Sequence, residues 1–165
     1  MANEQSQSVQ ILKTSALFKG FPDNEISKIG SHCIVKDLNA GETLFFEREE
    51  STALFIVSKG TVVIKKGSGG GDESVTNIGP QQHFGEMAFL MGDGALFEKR
   101  SAAAESGPEA AIILEVPYSA LNTYFTSSPQ MGLIFYKNLA LSLAGRIRRT
   151  TDDLAGVRSL RLRHT

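Results

Sequence analysis

Between residues 33 and 116 the chain is built from short apolar or alternating runs, each ended by a turn signal within a few residues. Strand-like runs occur at 34–38, 43–47, 53–57, 61–66, 74–78, 101–104 and 110–116, and the order of apolar and polar positions follows period two. Turns are written into Asn39-Ala40-Gly41-Glu42 and Ser58-Lys59-Gly60, and residues 67–72 read as a flexible hairpin loop in which glycine relieves turn strain. Many short strands at close spacing leave few choices of architecture, because a half-buried strand must cover its apolar face with another sheet. They point to a β-barrel or jelly roll.

The flanks have a different texture. Val9, Leu12 and Ala16 recur with helical spacing, and Pro22-Asp23-Asn24-Glu25 opens a second short helix through Ile26 and Ile29. After Pro117 the pattern turns helical again, with a short helix over 117–125 and a long one that starts at Ser128-Pro129 and continues to about residue 160. The expected fold is therefore mainly β with flanking helices: a double-stranded β-helix (jelly-roll) barrel, short N-terminal helices and a long C-terminal helix. Residues 1–7 are polar and read as a disordered tip, and 8–165 as a single domain. The long helix carries an apolar stripe of Leu133, Tyr136, Ala140, Leu143 and Ile147, with Leu139 beside it, resuming at Leu154 and Val157. At about 1.5 Å per residue such a helix outruns the barrel that bears it. Either it folds back on the barrel or it pairs with a copy of itself, and pairing into a homodimer is the favoured expectation.

Charge and cysteine content narrow the function classes. Residues 146–165 hold six arginines against Asp152 and Asp153, so this segment is +4 and the remainder −5 in a chain of net charge −1. That balance argues against nucleic acid as a partner of the whole surface, and no specific DNA binding is expected. Cys33, the sole cysteine, permits neither an internal disulfide nor a cysteine metal site and reads as a small core residue. The three histidines, His32, His83 and His164, are too far apart in sequence to suggest a metal-ligand pair, and His83 reads as a core or rim residue. No nucleophile-elbow or Walker pattern occurs, so no enzyme is expected and no cofactor is called for. The N-terminus lacks a hydrophobic signal core, and no apolar run is long enough for a membrane span. A soluble, cytoplasmic protein is the expectation.

The chemistry concentrates in Phe84-Gly85-Glu86-Met87-Ala88-Phe89-Leu90 and in Arg100-Ser101-Ala102-Ala103. A glycine lets backbone approach a ligand closely, and free amides at a helix start attract an anion. Glu86 can accept from a sugar hydroxyl, Arg100 can place a charge-assisted fork on a phosphate, and Ser101 can donate to a phosphate oxygen. These residues resemble the phosphate-binding cassette of the cyclic nucleotide-binding domain family, whose pattern reads roughly F-G-E-[LM]-A-L and then R-[AST]-A. Leu17-Phe18-Lys19-Gly20-Phe21 resembles the family's entry, and Ile78-Gly79-Pro80-Gln81-Gln82-His83-Phe84 its approach to the cassette, with Gln81-Gln82 in place of Gly-Asp.

The resemblance implies a stand-alone regulatory module that binds a cyclic nucleotide through Phe84, Gly85, Glu86, Met87, Ala88, Arg100, Ser101 and Ala102. In the catabolite activator-like branch of the family, neighbouring hydroxyl residues on the dimer helix contact the base. Thr150 and Thr151 match them and favour cyclic AMP, with cyclic GMP possible. The ligand is then expected to move the C-terminal helix and act on an unidentified effector protein. One departure stands out: Glu86 and Arg100 are fourteen positions apart where the family has about nine or ten, although a longer loop adds little closure entropy. The alternative is a degenerate module that keeps the fold and the dimer but binds no nucleotide.

Overall fold

The computed structural model describes residues 2–68, 71–91 and 99–162. Among the described residues, eight strands, β1 (Ile34–Leu38), β2 (Thr43–Phe45), β3 (Ala53–Lys59), β4 (Val62–Ser68), β5 (Gly71–Ile78), β6 (His83–Phe84), β7 (Ala103–Ser106) and β8 (Ala111–Pro117), form two four-stranded antiparallel sheets. One is ordered β1-β8-β3-β6 and the other β2-β7-β4-β5, the jelly-roll arrangement expected of so many short strands. Five helices flank them: α1 (Ala2–Thr14), α2 (Asp23–Gly30), α3 (Glu86–Met91), α4 (Tyr118–Ser127) and α5 (Pro129–Leu162), with a 3₁₀ turn over Ala16–Phe18.

The runs Ala53-Leu54-Phe55-Ile56-Val57 and Ala111-Ile112-Ile113-Leu114-Glu115-Val116 are rich in apolar residues because their sheet is covered on both faces. Phe55, Val57, Ala111 and Ile113 point between the sheets, where they meet Leu38, Phe45, Val62 and Phe84. Leu54, Ile56, Leu114 and Val116 point the other way, into a second core made by the helices through Leu12, Phe18, Leu121, Phe125, Phe135 and Leu139. Strand β3 is thus a shared wall between the barrel interior and the helical layer.

Three features differ from the sequence reading. The first helix starts at Ala2, within the stretch expected to be disordered, and it ends at Thr14, before the 3₁₀ turn. The hairpin expected to span 67–72 is shorter, because the strands stay paired through Gly67↔Asp72 and Ser68↔Gly71. The stripe on α5 is divided. Phe135 and Leu139 are the fully buried positions and Leu143 packs beside them; Tyr136 is half-exposed over Phe89 and Phe125, and Leu133, Ala140 and Ile147 face outward. Packing chose the row that meets Phe18 and Phe125, and Asn138 locks this rotation by donating to the Leu17 and Lys19 carbonyls at 3.0 and 2.9 Å. Past Arg146 the helix leaves the body, and residues 147–155 are all exposed, including Ile147 at 69% and Leu154 at 60%.

Candidate functional site

A hollow of about 170 Å³ opens between the sheets beside α3. Phe84, Gly85, Glu86, Met87, Ala88, Arg100, Ser101 and Ala102 all line it, together with Phe45, Ser51, Ile64, Thr76, Ile78 and Arg146. Glu86 and Arg100 therefore share one cavity despite the long tether between them, whose residues 92–98 lie outside the described residues. The flanking backbone explains why. Lys99 bridges to Glu50, Arg100 N–H donates to the Glu49 carbonyl at 2.8 Å, and the Arg48 N–H donates to the Arg100 carbonyl at 2.9 Å. This ladder anchors the arginine to the β2–β3 connection.

Arg100 is 7% exposed. Its Nη2 donates to the Ala53 carbonyl at 2.9 Å, and the guanidinium carbon lies 4.2 Å from the centre of the Phe45 ring and 5.2 Å from that of Phe55. The ring faces supply a partial negative surface but no hydrogen-bond acceptor. Nε and Nη1 are buried and meet no acceptor in hydrogen-bond geometry, although the Tyr118 phenol lies near enough to act on the guanidinium. Burial pushes the guanidinium below its usual range, opposed by the neighbouring Tyr118 phenol and by the Glu115 and Glu49 carboxylates. A buried cation with two orphaned donors is costly unless an anion completes it.

Gly85 meets this cation directly. Its φ is +84°, and a Cβ there would lie 2.8 Å from Arg100 Nη1 and 3.2 Å from the Ala53 carbonyl oxygen. Both the backbone conformation and the space require glycine. The Gly85 carbonyl accepts from the Tyr118 hydroxyl, which lies 2.7 Å from Ser51 Oγ.

Glu86 is 4% exposed and is already paired: Arg146 Nη1 donates to its Oε1 at 2.7 Å, and Arg146 Nη2 donates to the His83 carbonyl. His83 is buried against the same arginine. Burial first, and the Arg146 charge second, lower its pKa to about 3, so the imidazole is neutral near pH 7. Its Nε2 lies 3.5 Å from Ser142 Oγ.

Thr150 and Thr151 do not join the hollow. Both are exposed on α5, and their hydroxyls donate to the Arg146 and Ile147 carbonyls at 3.1 and 2.9 Å. Sequence reasoning passed over Arg146, Ser51 and Tyr118. For Arg146 a signal existed: it follows Phe135, Leu139 and Ser142 at spacings of four, three and four, which keeps it on the face turned to the body. Ser51 and Tyr118 sit 67 positions apart and carry no local signal.

The site is thus an under-coordinated cation buried in a jelly-roll cavity, beside a carboxylate held by a neighbouring helix. The chain's family follows from the comparison with known proteins. The model of the cyclic nucleotide-binding domain matches residues 35–128, and the chain belongs to that family. It is 27% identical over 147 residues to the CRP-like cAMP-activated global transcriptional regulator of Mycobacterium tuberculosis, covering 88% of this chain and 61% of that protein. The cAMP-activated global transcriptional regulator CRP of Haemophilus influenzae is 27% identical over 161 residues, covering 94% of this chain and 70% of that one. The catabolite activator protein of Thermus thermophilus superimposes with a TM-score of 0.67 at 26% identity, covering 85% of this chain and 62% of that one. Helix α5 and Arg146 lie beyond the span matched by the family model. No helix among the described residues is long and apolar enough to cross a membrane.

Proposed function

We propose that this domain is a regulatory receptor for a cyclic nucleotide, with cyclic AMP the preferred ligand. The observation that carries the reading is Arg100, a buried cation whose Nε and Nη1 lack partners inside a cavity shared with Glu86. A cyclic phosphate supplies the missing charge and acceptors, and the fork geometry of a guanidinium suits two phosphate oxygens. Glu86, Gly85 and Ala88 line the side where the sugar sits, and Ser101 offers a second donor to the phosphate. Cyclic AMP is favoured because both similar regulators are described as cAMP-activated. Their control of transcription belongs to those whole proteins, of which this chain spans 61% and 70%.

Helix α5 is the moving part in this reading. Arg146 ties it to Glu86, so a sugar hydroxyl that accepts Glu86 as partner changes the hold on the helix. Ligand then shifts a population between two helix positions. The outward apolar residues Leu133, Ile147 and Leu154 suit pairing of α5 with a second copy, which is also the arrangement that lets Thr150 and Thr151 reach a base. Sedimentation of the Ile147→Lys/Leu154→Lys variant tests the dimer: the parent should sediment as a dimer and the variant as a monomer.

Binding is tested by a thermal-shift panel of cyclic AMP, cyclic GMP and a cyclic dinucleotide, followed by calorimetry. A ligand at a hundred times its Kd stabilises the fold by about 2.7 kcal/mol, a shift of several degrees. No shift with any of the three defeats the receptor reading and leaves the degenerate module. That second reading draws on one observation, the Glu86–Arg146 ion pair, which already satisfies the carboxylate without ligand.

A further inference from the structure

We infer that Tyr118, backed by Ser51, is the positioning residue that sets the peptide at Gly85–Glu86 for an incoming anion; the inference rests on the receptor reading above. Both hydroxyl residues are at least nine-tenths buried in a wall that Phe and Ala would fill as well. Their hydrogens have a single consistent arrangement. The Gly85 carbonyl can only accept, so the Tyr118 hydroxyl donates to it, and the phenol oxygen then accepts from Ser51 at 2.7 Å.

The consequence follows from peptide geometry. A trans peptide holds its N–H antiparallel to its C=O. Pinning the Gly85 carbonyl towards Tyr118 therefore fixes the direction of the Glu86 N–H as well, in a turn whose Gly85, Glu86 and Met87 line the hollow together with Ser51. The other flank of the same glycine is against Arg100 Nη1. The segment that supplies Ser51 also supplies the Thr52 carbonyl, which accepts from Tyr118 N–H at 2.9 Å, and the Ala53 carbonyl, which accepts from Arg100. Three consecutive residues thus set the tyrosine and the arginine in one frame, and the turn is held between them.

Tyr118→Phe is the test, because it keeps the ring and its contact with Phe89 at 5.2 Å between centroids. In the ligand-free protein, the backbone order parameters of Gly85 and Glu86 should fall while those of β3 keep their values. Affinity for cyclic AMP should fall about five- to twentyfold, and by the same factor in a Glu86→Gln background, since the sugar end acts separately. Ser51→Ala should act in the same direction by about two- to threefold. Unchanged order parameters at Gly85 and Glu86, or a uniform fall across the strands, overturn the inference and make the tyrosine a packing residue. If the parent protein binds neither cyclic AMP nor cyclic GMP, the receptor reading fails, and the order parameters still decide whether Tyr118 sets the turn.

Discussion

The two ends of the hollow are in opposite electrostatic states. At one end Arg100 is buried with two donors unsatisfied, fixed by the Ala53 carbonyl and two phenylalanine faces. At the other end Glu86 is equally buried but already paired with Arg146. The first end has donors left over, and the second is a contact between the barrel and α5. Under the receptor reading the difference separates affinity from reporting: an unpaired buried cation gains most from an anion, whereas a paired carboxylate gains little but alters what it is attached to.

The largest expected effect separates the ends by affinity. Arg100→Ala should weaken cyclic AMP by about ten- to a hundredfold, or roughly 1.5–3 kcal/mol, and Glu86→Gln by clearly less. Calorimetry on both variants decides the ranking, and equal losses would erase the distinction. Next in size is a pH effect at the Glu86 end. His83 has its pKa lowered to about 3 by burial and by Arg146, so the unfolded chain takes up a proton that the folded state refuses. Stability from this group is complete above the unfolded pKa near 6.5 and is lost as pH falls towards the folded value. Urea unfolding at pH 7 and 4.5 should show about 2 kcal/mol of destabilisation on acidification that His83→Gln does not show.

Arg146→Ala should cost about 1–2 kcal/mol, less than a fully buried pair because Arg146 is half-buried. It should also raise amide exchange on α5 after Ser142 without changing β3. Exchange that rises equally everywhere would deny Arg146 its role as the helix tie. The smallest effect is the most specific to the Arg100 end. Arg100→Met should raise the melting point of the ligand-free protein by about 2–4 °C, because an apolar side chain carries no orphaned donors. A fall would mean that the aromatic faces already satisfy the cation.

How far the sequence could be read depended on the range of the contacts involved. That Phe84 to Ala88 would gather at one place was legible because the five consecutive positions share a turn and a helix start. Arg100 was legible as a charge in a matching motif, but not as a member of the same cavity. That depended on its backbone pairing with Arg48 and Glu49, a contact across about fifty residues. On α5 the amphipathic pattern was visible but its rotation was not. Two rows of apolar residues satisfy helical spacing, and the buried one was selected by Phe18, Phe125 and the Asn138 hydrogen bonds. The same rotation singles out Arg146 from Arg148 and Arg149, which point to solvent.

Local rules settled the element types and the gathering of chemistry-bearing residues at 84–88, since each is encoded within a few bonds of backbone. Which arginine is buried in the hollow, which one holds Glu86 and which hydroxyls meet the Gly85 carbonyl were decided by the meeting of distant segments. Those choices rest on burial and hydrogen-bond completion, and both exist only once the sheets and helices have packed.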